Sequence, residues 1–280
     1  MKTGQPSRTA YQAARYRAAH QLLERGSIFP DPIAVPLLGE SEETLLADEA
    51  RRGMRLFIAA RHRFAEDHLA AAVRRGVTRV VVLGAGLDTF AYRNPYPEIE
   101  VIEIDHPETQ AWKRSRLEAA GVTIPANMRY VGIDFERESL GDAGLGESGL
   151  GESGLGESGL AGFFLWMGVV PYLTPEAFAQ SLDAIAATPG NEVVFDYAQS
   201  PERMPAERRA WLEARAARVA KIGEPWLTFF EPEEIAAELH GRGFGEIEDL
   251  GPSGLAARFF GRPDVPAETP GGHVLHARKL

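Results

Sequence analysis

The chain has 280 residues, 44% hydrophobic and 25% charged, enough apolar material for one sizeable α/β core with the charge content of an ordinary globular protein. A formal net charge of -10 argues against nucleic acid as the main partner, since phosphate binding needs a surplus of Lys and Arg. Cysteine is absent, which excludes disulfides, thiolate metal sites and cysteine nucleophiles.

The polar start, Met1 to Arg8, lacks the apolar stretch of a signal peptide. The longest nearly apolar run, Gly162 to Leu173, is too short to span a bilayer. The expectation is a cytoplasmic chain without a membrane partner. Thr9 to Arg25, rich in Ala and Arg, reads as a helix closed by Gly26 and followed by the turn Phe29-Pro30-Asp31-Pro32. A second helical stretch runs from about Ser41 to Arg75, with a break near Gly53; Leu56, Phe57, Ala60, Phe64 and Leu69 recur on it at helical spacing.

Arg79 to Leu83 is a β-branched run without alternation, the pattern of a strand buried on both faces, and Gly84-Ala85-Gly86 follows it. Further strands are expected at Ile99 to Asp105, Arg129 to Asp134, Gly162 to Trp166 and Glu192 to Tyr197, with helices from Pro107 to Ala120 and Pro175 to Ala187. Arg203 to Lys221 reads as a charged lid-like helix, Pro232 to Gly241 as another, and Gly245 to Leu250 and His273 to Arg278 as two late strands. Strands alternating with helices predict an α/β fold, a doubly wound and mostly parallel seven-stranded sheet. One domain is expected over 1–280: a helical cap (1–76), a βα core (77–198) and a lid helix with the final strands (199–280). Within the core, Gly-Leu-Gly-Glu-Ser repeats in tandem from Gly144, inside a low-complexity insert over 144–160 too Gly-rich to bury a core.

The chemistry centres on the glycine pair. A tight turn after the first strand lets a ligand approach the backbone and aims helix amides at negative ligand atoms. Asp105 stands 19 positions after Gly86, near the spacing of about 20 at which a strand-end acid takes ribose hydroxyls. Glu103 is the rival on the same face, and a helix cap is the alternative role for Asp105. A dinucleotide site would want a third glycine where Thr89 stands. Asp134 and Phe135, ending the third strand, suit an adenine amino group and ring equally as well as a turn and a core Phe.

Ser27-Ile28-Phe29-Pro30-Asp31-Pro32, Val82 to Thr89, Ile102-Glu103-Ile104-Asp105-His106-Pro107 and Gly168 to Thr174, with Gly223-Glu224-Pro225-Trp226, resemble the leucine carboxyl methyltransferase family and its bacterial branch. The resemblance implies a class I, Rossmann-like methyltransferase fold with an N-terminal helical cap, and S-adenosyl-L-methionine as cofactor. It implies that Gly84, Ala85 and Gly86 lie under the methionine moiety, that Asp105 holds the ribose, and that Asp134 and Phe135 contact the adenine. It also implies that Arg61 pairs with the cofactor carboxylate, with Arg17 as a second basic candidate; a solvated helix face is the alternative place for Arg61. The chain departs from part of the family at Met167, where some members carry a glutamate, and in the repeat insert.

His62 and His68 read as surface residues, and the seven histidines show no metal-ligand spacing. Tyr172 is a candidate to orient a substrate, and Trp166 flanks the same strand end; both could equally be core aromatics. No Gly-x-Ser-x-Gly nucleophile motif stands out. The expected activity is methyl transfer to a carboxylate or hydroxyl of a small molecule. The alternatives are an NAD(P)-dependent oxidoreductase, disfavoured by Thr89, and a nucleoside-binding protein without catalysis. Oligomeric state is left open.

Overall fold

The computed structural model describes residues 7–47, 52–133, 161–221 and 223–280. Four helices come first: α1 (Arg8–Leu23), α2 (Ala34–Leu38), α3 (Glu42–Leu46) and α4 (Arg52–Arg74). Ser7 caps α1 by accepting from the Ala10 N–H at 3.0 Å. The αα region gives way to β1 (Arg79–Leu83), α5 (Phe90–Arg93), β2 (Glu100–Asp105), α6 (Pro107–Ala119), β3 (Met128–Gly132) and β4 (Phe163–Trp166). Then come α7 (Pro175–Ala186), β5 (Glu192–Ala198), α8 (Ala206–Ala220), α9 (Pro232–Gly241), β6 (Phe244–Leu250), α10 (Pro252–Phe259) and β7 (Gly272–Lys279). Pro107, Pro175, Pro232 and Pro252 each open their helix, where the missing N–H costs nothing.

The seven strands form one sheet in the order β3-β2-β1-β4-β5-β7-β6. Five strands run parallel; β7 is antiparallel to both β5 and β6. The doubly wound expectation holds. Val81, Leu83, Ile102 and Ile104 point to a core shared with Phe178 and Leu182 of α7 and Ile235 and Leu239 of α9. The alternate residues Val80, Val82 and Val101 point to the other face, against Ala60, Phe64 and Leu69 of α4 and Leu255 of α10. A third cluster joins Ala14 and Ala18 of α1, Leu37, Leu38 and Leu45 to Leu87 and Leu117, so the first helices form a cap over the β1–α6 end of the sheet. The short helices α2 and α10 lie outside the sequence reading.

The chain order reverses between β1 and β4. At such a switch point the loops leaving the carboxyl ends of the two strands part and open a crevice. Those loops are Gly84–Gly86 and Met167–Val169.

Candidate active site

The bend after β1 is left-handed at both glycines, φ +59° at Gly84 and +48° at Gly86. It is also crowded. A Cβ on Gly84 would fall 2.5 Å from Cγ2 of Val169, and one on Gly86 would fall 3.0 Å from the Ala10 methyl of α1. The bend is thus held between the β4 loop and the first turn of the cap, and only glycine fits both its dihedrals and its space. Ala85 is buried, and its N–H reaches the Ile104 carbonyl at 3.0 Å, tying the bend to β2.

Asp105 ends β2 beside β1, with Leu83 paired to Ile104 in parallel register. Its carboxylate accepts hydrogen bonds from the Gly86 N–H and, at 2.6 Å, from the His106 N–H. Burial pushes its pKa up, against the pull of those two amides. Two of roughly four lone-pair positions remain for other donors. The rival Glu103 is wholly buried and bound to Lys113 at 2.7 Å, with its pKa raised to about 7 by burial. The structure therefore brings Asp105 to the crevice and withdraws Glu103 into the interior.

The helix after the bend is a single turn. Its first N–H is taken by the Asp88 side chain at 2.7 Å, and Thr89 is fully buried with its hydroxyl bonded to Arg93 at 2.9 Å. Asp88 thus takes one of the amides at that end from within the chain.

Arg61 is 6% exposed, not on a solvated face. Its Nη1 donates to Asp196 at the end of β5 at 2.7 Å, while its buried Nε has no partner among the described residues. The other Asp196 oxygen accepts the Gly168 N–H at 2.5 Å. Gly168 is left-handed, φ +74°, and a Cβ there would lie 3.0 Å from Nη2 of Arg61. Arg61, Asp196 and Gly168 are thus bonded together, and Val169, next to Gly168, joins them to the bend at Gly84. Asp196 escaped the sequence reading; an acid inside the apolar run Val193-Val194-Phe195-Asp196-Tyr197 was the available signal.

Arg17 is also buried, but it bonds Asp31 at 2.8 Å and the Leu87 carbonyl at 2.5 Å, so it anchors α1 to the bend. The surface reading of His62 is wrong. It is 5% exposed, bonds the Ile58 carbonyl at 2.7 Å and lies 3.6 Å from Asp88, and burial lowers its pKa. The surface reading of His68 fails too: it is largely buried, stacks on His276 with ring centroids 4.0 Å apart and lies 3.0 Å from Glu248. Trp166 is a core residue, stacked on Phe178 at 5.5 Å.

Tyr172 lies in a 3₁₀ turn after β4, with its hydroxyl beside Thr9 and Trp226, and burial raises its pKa. Above it, the Glu224 carboxylate clasps the start of α1. It accepts from the Arg8 N–H at 2.7 Å, the Thr9 N–H at 3.0 Å and the Thr9 hydroxyl at 2.5 Å. A carboxylate at a helix N-terminus is favoured by the free amides and the helix dipole. Asp134, Phe135 and the repeat lie outside the described residues. Among the described residues, no group of three or more His, Asp or Glu could hold a metal ion.

A seven-stranded sheet of this order, with a glycine bend and a strand-end acid at the switch point, is the class I methyltransferase fold. The CurJ carbon methyltransferase shares the fold at a TM-score of 0.54, with 14% identity over 98% of this chain and 68% of that one. The chain belongs to the leucine carboxyl methyltransferase family, whose model matches residues 10–186. Among its relatives is YktD of Bacillus subtilis (strain 168), provisionally named an S-adenosyl-L-methionine-dependent methyltransferase, 29% identical over the full length of both chains. A Mycolicibacterium smegmatis protein given the same provisional name is 31% identical over 78% of this chain and 73% of its own.

Proposed function

We propose that this methyltransferase uses S-adenosyl-L-methionine and transfers the methyl group to an oxygen, carboxylate or hydroxyl, of a small molecule. The observation that carries the reading is the Asp105 carboxylate bound to the Gly86 N–H across neighbouring parallel strands. The residues suit the cofactor. Left-handed glycines leave the bend without side chains, Asp105 keeps lone pairs for ribose hydroxyls, and Arg61 carries a buried N–H without a partner.

When bound, S-adenosyl-L-methionine supplies an electrophilic methyl on a sulfonium leaving group. On this reading Gly84, Ala85 and Gly86 let the methionine moiety lie against the backbone, and Asp105 fixes the ribose. Arg61 takes the carboxylate, and Asp134 and Phe135 face the adenine. Tyr172 orients the acceptor. The chain's work is proximity, alignment and exclusion of water, with α1 and the Glu224 segment covering the crevice. A carboxylate acceptor is already a nucleophile near neutral pH and asks for no general base. The acidic charge of the chain disfavours nucleic acid as the acceptor, and no described helix is long and apolar enough to cross a membrane. The cap (1–76), core (77–198) and lid segment (199–280) are taken to act as one domain.

Calorimetric titration with S-adenosyl-L-methionine and with NAD tests the cofactor. Production of S-adenosyl-L-homocysteine across a panel of carboxylic acids, alcohols and phenols tests the acceptor. Binding of the first ligand alone, and turnover with an oxygen acceptor, are expected. Binding of NAD alone would reassign the site.

A further inference from the structure

We propose that Asp196 binds the ammonium of the cofactor's amino-acid head, so that the buried Arg61–Asp196 pair is the seat of a zwitterion; this rests on the reading above. The two side chains come from α4 and from the end of β5, and each residue is 6% exposed. A buried ion pair loses much of its Coulombic gain to desolvation, so its retention at a crevice wall calls for a role besides stability. The pair is also incompletely used. Arg61 has a buried Nε without a partner, although nearly all buried donors in folded proteins are satisfied. Among the described residues each Asp196 oxygen has one partner, Arg61 at 2.7 Å or the Gly168 N–H at 2.5 Å, which leaves a second lone-pair position on each.

The pair therefore holds an unpaired buried donor beside unused acceptor positions, with no net charge. An α-amino acid head presents the complement, an acceptor-only carboxylate and a donor-only ammonium. Seating it buries no unbalanced charge. The place is also right: Val169, which follows Gly168, packs against the Gly84 position of the bend. A ligand lying along the bend with its ribose at Asp105 would extend its other end toward this pair.

The test is calorimetric binding of S-adenosyl-L-homocysteine, its deaminated analogue and 5′-methylthioadenosine, which lacks the whole head, to the wild-type chain and to Asp196→Asn. Loss of one charge-assisted hydrogen bond predicts about a tenfold weaker S-adenosyl-L-homocysteine complex in the variant. The other two ligands should keep their affinities. An equal loss for all three ligands marks a structural role and overturns the proposal. An equal loss for the two ligands that carry the carboxylate places the effect on Arg61 alone and overturns it too. Should Asp196→Asn not fold, the wild-type chain decides: the deaminated analogue must bind about tenfold more weakly than S-adenosyl-L-homocysteine, and equal affinity refutes the ammonium contact. A wild-type chain that binds 5′-methylthioadenosine but gains nothing from the head leaves the cofactor reading standing and removes this one. A chain that binds none of the three removes both.

Discussion

Replacing Gly84 by alanine probes the bend from two directions at once. The residue sits at φ +59°, where a Cβ costs about 1–2 kcal/mol for an L residue. The new methyl would also fall 2.5 Å from Cγ2 of Val169, closer than carbon atoms approach, and overpacking of this kind costs about 1–3 kcal/mol. Gly84→Ala should therefore lose about 2–5 kcal/mol in urea unfolding at neutral pH. The two parts can be separated. Adding Val169→Ala removes the atom in the way, so the double variant should recover the overpacking share while the dihedral share stays. Binding of S-adenosyl-L-homocysteine should weaken in the single variant, because the bend must shift. A Gly84→Ala chain as stable as the wild type would refute the left-handed bend. No recovery on adding Val169→Ala would refute the packing of the β4 loop against it.

Asp105→Ala strips the Gly86 and His106 N–H groups of their acceptor as well as removing the ribose partner, so it should cost about 1–3 kcal/mol of stability and at least about tenfold in S-adenosyl-L-homocysteine affinity. Unchanged affinity in a folded variant would withdraw the ribose role. Glu224→Ala releases the start of α1 and should cost about 1–2 kcal/mol in denaturant unfolding, with Glu224→Gln losing less; equal stability of all three chains would mean that the clasp holds nothing. The pKa of His68 is pushed down to about 3, mainly by burial, from an ordinary 6.5. Below pH 6.5 the unfolded chain binds a proton at this position that the folded chain refuses, so stability is lost as pH falls. The stability advantage of the wild type over His68→Leu should shrink as pH is lowered from about 7 to about 5, and a pH-independent difference would contradict the assignment.

Much of the fold was legible because its signals are local. The buried β-branched run before Gly84, the spacing from Gly86 to Asp105 and the prolines that open helices all lie within short stretches. Of the candidate site, the place of Asp105 at a strand end beside the glycine bend was legible, whereas the burial of Glu103 against Lys113 depends on a partner from the following helix. What escaped depends on distant partners. Arg61 finds Asp196 at a separation of 135 residues, and Glu224 finds Thr9 across 215. His62 was misread for a related cause. Helix α4 is covered by the sheet on one side and by α1 and the Phe29–Asp31 turn on another, so polar residues that look like a solvated stripe are buried among partners from elsewhere. Met167 gave no hint of the carboxylate beside Gly168, because that carboxylate comes from β5 and not from the neighbouring residue.

A crystal structure of the chain with S-adenosyl-L-homocysteine tests the central claim most directly. The account predicts ribose hydroxyls within hydrogen-bonding distance of Asp105 and the homocysteine arm along Gly84–Gly86. Adenosine bound elsewhere, with Asp105 making only its two backbone contacts, would contradict it.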